Sequence, residues 1–538
     1  MSLLIITHPK IKGSAFFQNR AKYYLKIIAS GRKGCVSINL FVPLQYNIVY
    51  IPIGHFSKVT NYLKQFVNGR REPSWQLSAI PVVTLFISFA LIMIIAGPMA
   101  IADYAPYALL GSGALALGLG PMTGILRRRA LLTGLRRSAS QILPAIPMLL
   151  LIAMLATTWM MSGVVPTLIH YGLQLLDPQW FLVIACGVCA VVSVLTGSSW
   201  STIATLGVAF IGIGEVLGFH PGWTAGAIIS GAYFGDKVSP LSDTTVIASA
   251  TCGVDLFTHI RFMTVTTVPA MLIAMIAFGI RGLSAPGQPI GESGTMMAGL
   301  SDIFVLSPWT LVIPAATLLL IALRVNTLVV LAASALMGAV GIFVLQPQAG
   351  AGFVDLLSAL WSGFEPHSGN ATVDELCGTG GMLGILPVVF LVLSAMTFGS
   401  LMIGTGMLES LTTRMISSLH KPTSIVGATV ATGFTLNACT ADQYLSIMLC
   451  GNMYRNHYRR HRLESRLLSR TLEDSVSATS PIIPWSSCGV TQASVLGVST
   501  FTYLPYCFFN YLTPMMALVV IRLGFKIHRH KVALAPAE

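Results

Sequence analysis

Residues 230–245 hold ionisable and hydroxyl side chains whose types and spacing could bind an ion. They read Ser-Gly-Ala-Tyr-Phe-Gly-Asp-Lys-Val-Ser-Pro-Leu-Ser-Asp-Thr-Thr and lie between long apolar runs. An ionised carboxylate at the centre of a lipid bilayer costs about 2.5–3.5 kcal/mol on insertion scales, so such residues usually serve a function. We therefore expect Asp236 and Asp243 to mark a functional site.

The composition of the 538-residue chain is that of a membrane protein. Hydrophobic residues make up 54% and charged residues only 9%, whereas soluble domains carry about 25% charged residues. Charge-free windows of about 20 residues, each long enough to cross a bilayer as a helix, recur along the sequence. We expect an all-α polytopic membrane protein with about 10 to 12 transmembrane helices, several of them interrupted.

The formal charge of +13 comes from the N-terminal residues. Residues 1–71 contain 11 Lys or Arg and no Asp or Glu, while the remaining chain has 21 basic and 19 acidic residues. The excess therefore does not indicate a nucleic-acid partner. Either this extension is a cytoplasmic basic arm attracted to anionic lipid, or it reflects a misassigned start, with the working protein beginning near Arg70. The sequence favours the second interpretation.

Clusters of basic residues predict which loops face the cytoplasm. They span residues 127–137, 457–470 and 522–531, whereas no Lys or Arg lies between Arg324 and Arg414. We expect the three clusters inside the cell and the acidic loop near residues 350–378 outside it.

Two halves of the chain resemble each other, as in many secondary transporters. Residues 196–203 lie opposite 440–447, and residues 235–242 align with 473–480, which matches Asp236 with Asp474. Each half then contributes a hydroxyl-rich break followed by a break that bears a carboxylate. We expect a first repeat at 72–282, an inter-repeat loop at 283–308, a second repeat at 309–525 and a basic tail at 526–538.

Proline residues in these segments predict broken helices, because proline lacks the amide hydrogen and clashes with the preceding turn. Unwound backbone at membrane depth is tolerated where protein buries it or where it lines a watery cavity. Oxygen ligands that converge there suit a hard cation such as Na+. The candidate groups are those of Asp236, Ser239, Ser242, Asp243, Thr244, Asp474, Ser477 and Ser480, with supporting hydroxyls from Ser198, Ser199 and Thr202.

A carboxylate in such a cavity could bind either a proton or Na+. Burial raises its proton affinity and a nearby cation lowers it. Competition between the two ions, combined with alternating access, gives antiport. Lys237 either holds Asp236 charged as a partner or extends its long stem to the membrane surface.

Residues 231–245, followed by Asp255-Leu-Phe-Thr-His-Ile-Arg261, resemble the hallmark of the NhaC family of bacterial Na+/H+ antiporters. The resemblance extends over residues 196–207, 441–444, 473–474, 484–485 and 503–510, within about 73–525 of the chain. It implies two inverted repeats with re-entrant hairpins, exchange of Na+ for protons across the bacterial cytoplasmic membrane, and ion-site roles for Asp236, Ser239, Ser242, Asp243, Thr244, Asp442 and Asp474.

Other function classes are less compatible with the sequence. Relatives of this family include exchangers that couple Na+ and protons to malate or lactate, so an organic acid exchanger is the alternative. Enzyme chemistry is not expected, because no H-E-x-x-H or G-x-S-x-G motif occurs. A phosphate-binding P-loop is also absent from the sequence, so ion gradients rather than ATP should drive transport. We expect no cofactor, and a chain that works in the lipid bilayer alone or as a homodimer.

Overall fold

The computed structural model describes most of the chain in segments. In the N-terminal extension these are residues 24–29, 36–44 and 47–53. Beyond it they are residues 73–97, 100–120, 145–284, 299–323, 325–350, 352–366, 373–374, 377–416 and 421–524. The basic cluster at 127–137, most of the inter-repeat loop and the tail at 526–538 lie outside the described residues.

The chain divides into two compact units, Met1–Arg71 and Glu72–Glu538. The first contains a three-stranded antiparallel sheet of β1 (Tyr24–Ala29), β2 (Val36–Leu44) and β3 (Asn47–Ile53). This sheet is not predicted from the sequence. The regular secondary structure in the described residues of the second unit is helical, apart from one isolated bridge between Phe364 and Thr379. The prediction of an all-α membrane protein is confirmed there.

The described part of the second unit contains twenty helices. They are α1 (Trp75–Ala96), α2 (Ile101–Leu119), α3 (Ala145–Met161), α4 (Val164–Leu175), α5 (Pro178–Thr196), α6 (Ser199–Val216), α7 (Pro221–Val238), α8 (Asp243–Cys252), α9 (Leu256–Leu283), α10 (Pro308–Ala322), α11 (Thr327–Leu345), α12 (Phe353–Ser362), α13 (Gly381–Gly404), α14 (Met407–Ile416), α15 (Pro422–Thr440), α16 (Gln443–Arg460), α17 (Ser465–Leu472), α18 (Ser487–Leu496), α19 (Thr500–Tyr506) and α20 (Phe508–Arg522). A π-helical turn lies within α6 at Ile203–Gly207, and another follows α17 at Glu473–Ser477.

Six of these helices are long and apolar enough to cross a membrane, or eight if each bent pair counts as one span. The bent pairs are α3–α4 and α19–α20. Four more helices, α2, α7, α15 and α16, have 18 or 19 residues but are less apolar.

The two halves of the second unit repeat each other at a constant separation of 244 residues. Helix α5 begins at Pro178 and ends at Thr196, and α15 begins at Pro422 and ends at Thr440. The same separation relates α6 to α16, the start of α7 to the start of α17, and α8 to α18. Proline at the first helical position starts both α5 and α15 without losing a hydrogen bond, because that amide has no partner within the helix.

Each half thus contains a helical hairpin followed by a broken helix. The hairpins are α5–α6 and α15–α16, and the broken helices are α7–α8 and α17–α18. The scaffold helices of the two halves pack against each other in a matching way. Helix α2 of the first half packs against α13 of the second, and α11 of the second half packs against α3 of the first.

The order of the helices indicates how the halves are oriented. We infer that in the first half α1, α2, α3, the broken helix and α9 each cross the membrane, whereas the hairpin returns to the side from which it enters. An odd number of crossings gives the second half the opposite orientation. We infer that α16 ends inside the cell, where its last turn carries His457, Arg459 and Arg460, and that α6 ends outside.

Gly231 offers a direct test of how closely α7 packs along α5. A Cβ atom at this position would lie 2.0 Å from the carbonyl oxygen of Cys186. We expect Gly231→Ala to lower the free energy of unfolding by about 3 kcal/mol, because two helix backbones would have to separate. Thermal unfolding in detergent measures the change. Gly187→Ala, whose Cβ would meet only a methyl group at 3.9 Å, is the control, and equal melting points for the two variants would contradict the packing.

Candidate ion-binding site

The tips of the two hairpins have the same backbone structure. Gly197 and Ala441 both adopt left-handed backbone angles, with φ of 68° and 56°. At Gly197 glycine is needed, because a Cβ would lie 2.6 Å from the side chain of Leu241. The hydroxyls of Thr196 and Thr440 brace the tips by accepting hydrogen bonds from the backbone two residues further on, at 3.2 and 3.3 Å. Both tips therefore end in a rigid turn.

Each turn starts the outgoing helix with a capping side chain. The Ser198 hydroxyl accepts a hydrogen bond from the Ser201 amide at 3.2 Å, and the Asp442 carboxylate accepts one from the Leu445 amide at 2.7 Å. Thr202 donates its hydroxyl to the Ser198 carbonyl at 2.9 Å. Ser198, Thr202 and Asp442 are thus used in shaping the tips.

The hairpins are fastened to the broken helices through equivalent hydrogen bonds. Ser193 donates to the Ala232 carbonyl at 2.6 Å, and Asn437, 244 residues later, donates to the Val476 carbonyl at 3.0 Å. Sequence reasoning missed both residues, although Asn437 stands out as a polar side chain in an apolar segment. Its amide satisfies a carbonyl that the π-helical turn of its half contributes.

A second pair of hydrogen bonds holds the breaks themselves. Ser239 donates its hydroxyl to the Val194 carbonyl at 2.8 Å, and the Trp485 indole donates to the Ala438 carbonyl at 2.7 Å. The two carbonyls occupy equivalent positions in the repeat. The Ser239 hydroxyl is therefore used in a hydrogen bond to the backbone of α5, and the Trp485 indole makes the equivalent hydrogen bond to α15 in the second half.

Asp236 lies in the last turn of α7, at the break of the first broken helix. Its carboxylate accepts a hydrogen bond of 2.8 Å from the hydroxyl of Ser199, the first residue of α6. The hydroxyl of Ser242 also faces this carboxylate and lies 3.0 Å from that of Thr244. Ser199, Ser242 and Thr244 are buried and Asp236 is half-buried. These groups form a compact set of oxygen atoms at the break.

Further acids and a tyrosine lie around this set. Asp243 is exposed in the first turn of α8, close to Asp236. Tyr444, in the first turn of α16, lies near Asp236, Asp243 and Asp442. The structure thus brings the hairpin tip of the second half up to the broken helix of the first.

Asp474 lies in a different environment from Asp236. It forms an ion pair with Lys237, and both side chains are buried. The Thr266 hydroxyl donates to the same carboxylate oxygen at 3.1 Å, and the guanidinium of Arg470 lies 3.7 Å from the other oxygen. Lys237 is thus a partner of Asp474, and it neither pairs with Asp236 nor extends to the membrane surface.

The charged groups around Asp474 are closed off from water. Arg470 is fully buried and lies over the Phe262 ring, 4.7 Å from its centroid. Glu473 is also fully buried and lies near Lys237. Thr266 and Phe262 lie on α9, so this network ties α9, α7 and the second broken helix together.

The structural repeat changes one of the sequence correspondences. Residues 196–203 and 440–447 are equivalent in the structure as they are in the alignment. At the same separation of 244, Asp236 corresponds to Ser480 and Asp474 to Ser230, so the alignment of 235–242 with 473–480 is displaced by six residues. Ser477 and Ser480 are buried, and they lie on the second break as expected.

Comparison with known proteins agrees with these features. The family model described as the Na+/H+ antiporter family matches residues 231–525. The Na+/H+ antiporter NhaC of Alkalihalophilus pseudofirmus is 36% identical over 383 residues, which cover 71% of this chain and 82% of that protein.

The chain belongs to the Na+/H+ antiporter family.

Other relatives in the family carry different names. The arginine/ornithine antiporter ArcD of Halobacterium salinarum is 33% identical over 415 residues, or 76% of this chain and 84% of that protein. The malate-2H+/Na+-lactate antiporter of Bacillus subtilis is 33% identical over 379 residues, or 70% of this chain and 80% of that protein. Membership of the antiporter family makes this chain a transporter and a multi-pass protein of the bacterial inner membrane.

Proposed function

We propose that this chain exchanges Na+ for H+ across the cytoplasmic membrane and that the two ions compete for the carboxylate of Asp236. One observation supports this most strongly. Asp236 lies at a break in a helix, within hydrogen-bonding distance of a hairpin hydroxyl and beside the hairpin tip of the opposite half. In a two-fold transporter fold, this meeting point of the halves is where a substrate site is expected.

The chemistry of the exchange follows from the groups around Asp236. A protonated carboxyl loses its proton when Na+ binds, so one positive charge replaces another and the buried charge stays constant. The Ser199 hydroxyl donates to the carboxylate without the ion and can offer an oxygen lone pair to Na+. If Na+ and a proton bound to the Asp236 carboxylate together, a net positive charge would remain in this partly desolvated place, at a high cost in free energy. Binding of one ion therefore excludes the other.

The remaining candidate residues have graded roles in this proposal. Ser242 and Thr244 supply oxygen ligands beside Asp236, and Asp243 attracts the cation from the exposed side. Ser239, Ser198, Thr202 and Asp442 shape the breaks and tips that position the ligands. Asp474 is the counter-ion of Lys237, and Ser477 and Ser480 line the second break. We further propose that exchange needs no cofactor and no catalytic group, and that the chain works in the lipid bilayer alone or as a homodimer.

Exchange of an organic acid is the second candidate, supported by the name of the malate and lactate relative. A carboxylate substrate would need a cation, and Lys237 is the basic residue closest in sequence to the site. Since Asp474 already pairs with Lys237, simple Na+/H+ exchange is the better supported function.

Reconstituted proteoliposomes containing a pH-sensitive dye distinguish these functions. We expect Na+ alone to collapse an imposed proton gradient, with no requirement for malate, lactate or arginine. A strict requirement for one of these compounds would reject the proposal in favour of an organic substrate.

The Ser199 hydroxyl provides a milder test of the site. We expect Ser199→Ala to raise the KM for Na+ by about ten- to a hundredfold, since a lost ligand or hydrogen bond to a charged group costs about 1.5–3 kcal/mol. Ser201→Ala, which removes a hydroxyl bonded to Ser198 rather than to Asp236, is the matched control. Equal KM values for the two variants would separate Ser199 from ion binding.

A further inference from the structure

Glu473 is a buried acid whose presence the ion site at Asp236 does not explain. It is the first residue of the π-helical turn that follows α17, and its side chain is fully buried. Neither of its carboxyl oxygens has a hydrogen-bond partner among the described residues. The hydroxyl of Ser477, one turn further along, lies beside this carboxyl without a hydrogen bond of normal geometry. Buried polar atoms are usually paired, and an orphaned acid inside a membrane protein indicates a functional role.

The helices packed around this turn leave Glu473 unpaired. They contribute the polar side chains of Thr245 in α8, His259 in α9, Asn437 in α15, Tyr458 in α16 and Asn510 in α20. The threonine and the two asparagines donate to backbone carbonyls, and the histidine and the tyrosine are hydrogen-bonded to hydroxyls. The charged groups that face Glu473 are Lys237 and Asp236 of α7 and the adjacent Asp474.

The charges of this region do not balance when every acid is ionised. Lys237 and Arg470 contribute two positive charges, whereas Asp236, Glu473 and Asp474 contribute three negative charges. One additional positive charge makes the group neutral. A proton on Asp236 or on Glu473 supplies that charge, and so does Na+ bound to Asp236. Since like charges close together oppose ionisation of both groups, we expect Asp236 and Glu473 to titrate as a pair.

Glu473 is better suited to a proton than to Na+. A sodium ion needs several oxygen ligands, and the positive charge of Lys237 close by repels a metal cation. A protonated carboxyl group is neutral and can donate its hydrogen to the Ser477 hydroxyl. Asp236 differs from it, because the Ser199 hydroxyl already donates to the Asp236 carboxylate. The two acids are therefore equipped for different ions.

We propose that Glu473 is a second proton-binding residue of the exchanger, which holds a proton while Asp236 is ionised and empty and releases it to water when Na+ binds to Asp236. The O–H bond of Glu473 breaks and its electron pair stays on the carboxylate. The new negative charge compensates the bound Na+, so the net charge of the region is unchanged. This inference rests on the proposed function, which assigns Na+ to Asp236.

The pH dependence of Na+ affinity distinguishes a proton-binding role from a structural one. Glutamine at position 473 is a permanent copy of the neutral form. We therefore expect Glu473→Gln to bind Na+ as tightly as the wild type at acid pH, where Glu473 is protonated. At alkaline pH the wild-type carboxylate attracts Na+, so the variant should bind it about tenfold more weakly. Calorimetric titration of the purified protein with Na+ measures both affinities.

A second acid on the same broken helix provides the control. Glu464→Gln removes a partly exposed acid that pairs with Arg466, and its Na+ affinity should follow the wild type at every pH. A ratio of Na+ affinities between Glu473→Gln and the wild type that stays constant from acid to alkaline pH would overturn the proposal. Absence of Na+ binding to the wild type at every pH would instead reject the proposed function.

A spectroscopic measurement covers the case in which Glu473→Gln does not fold. Infrared difference spectra record the loss of a protonated carboxyl group when Na+ is added. Protonated Glu and Asp side chains absorb at different frequencies, so the lost band should shift between the wild type and Glu473→Asp, which retains an ionisable group. A lost band at the same frequency in both proteins would assign the released proton to a residue other than Glu473.

Discussion

The Asp236→Asn variant is expected to reach the membrane at normal levels and to lose Na+/H+ exchange. The amide keeps the shape of the carboxyl group and can still accept the hydrogen bond from Ser199. It carries no negative charge and cannot release a proton, so it can neither hold Na+ nor couple the two ions. Proton movement in proteoliposomes should then match that of empty liposomes.

A matched control separates charge removal at the site from charge removal elsewhere. Asp255 caps α9 by accepting hydrogen bonds from the amide and hydroxyl of Thr258, at 2.9 and 3.0 Å. Asparagine is as good a helix cap as aspartate. Asp255→Asn should therefore retain exchange and stability. Retained exchange in Asp236→Asn, at the rate of this control, would exclude Asp236 as the shared ligand.

Removal of the Asp474 carboxylate is expected to have the largest effect on stability. In Asp474→Asn, the buried Lys237 and Arg470 lose the anion that lies between them. Breaking one side of a buried ion pair costs about 3–5 kcal/mol, because the remaining charge stays desolvated. Thermal unfolding of the purified protein in detergent should show a large fall in the melting midpoint.

A double-mutant cycle tests whether the cost comes from the unpaired charge. Lys237→Met combined with Asp474→Asn removes both members of the pair, so the double variant should be more stable than Asp474→Asn alone. Glu464→Gln breaks a partly exposed pair with Arg466 and should cost less than about 1 kcal/mol. If the two single effects simply added, Lys237 and Asp474 would not be coupled.

Hydropathy and proline positions in the sequence predict much of the fold. Long apolar windows mark the spans, and the polar block at 230–245 marks the first broken helix, because charges and prolines are rarely placed in a membrane without a function. The sequence predicts both Asp236 and Ser199 as residues of the ion site, and the structure shows a hydrogen bond between them. The family resemblance added the hairpins, which no periodicity in the sequence reveals.

The register of the repeat was harder to predict. The alignment that joined Asp236 with Asp474 relied on similar side chains, whereas the two halves retain helix starts, left-handed turns and hydrogen bonds to equivalent carbonyls. These features are backbone geometry, and different residues provide them: Ser193 and Asn437 in one case, Gly197 and Ala441 in another. An alignment based on side-chain identity therefore displaces the second broken helix by six residues relative to the first.

The ion pair between Lys237 and Asp474 also could not be read from the sequence. Its partners are 237 residues apart, and Lys237 is next to Asp236 in the chain. Successive residues on a helix point in different directions, so Asp236 and Lys237 face different partners. Only the packing of α7 against α9 and the second broken helix decides which acid meets the lysine.

Proton release on sodium binding tests competition at Asp236 most directly. Na+ is added to the purified protein in weakly buffered detergent at a pH where the site is partly protonated, and a pH indicator records the protons that appear. We predict release that saturates with Na+ in the wild type and in Asp255→Asn, and none in Asp236→Asn. Equal proton release from Asp236→Asn and the wild type would show that sodium displaces the proton somewhere else.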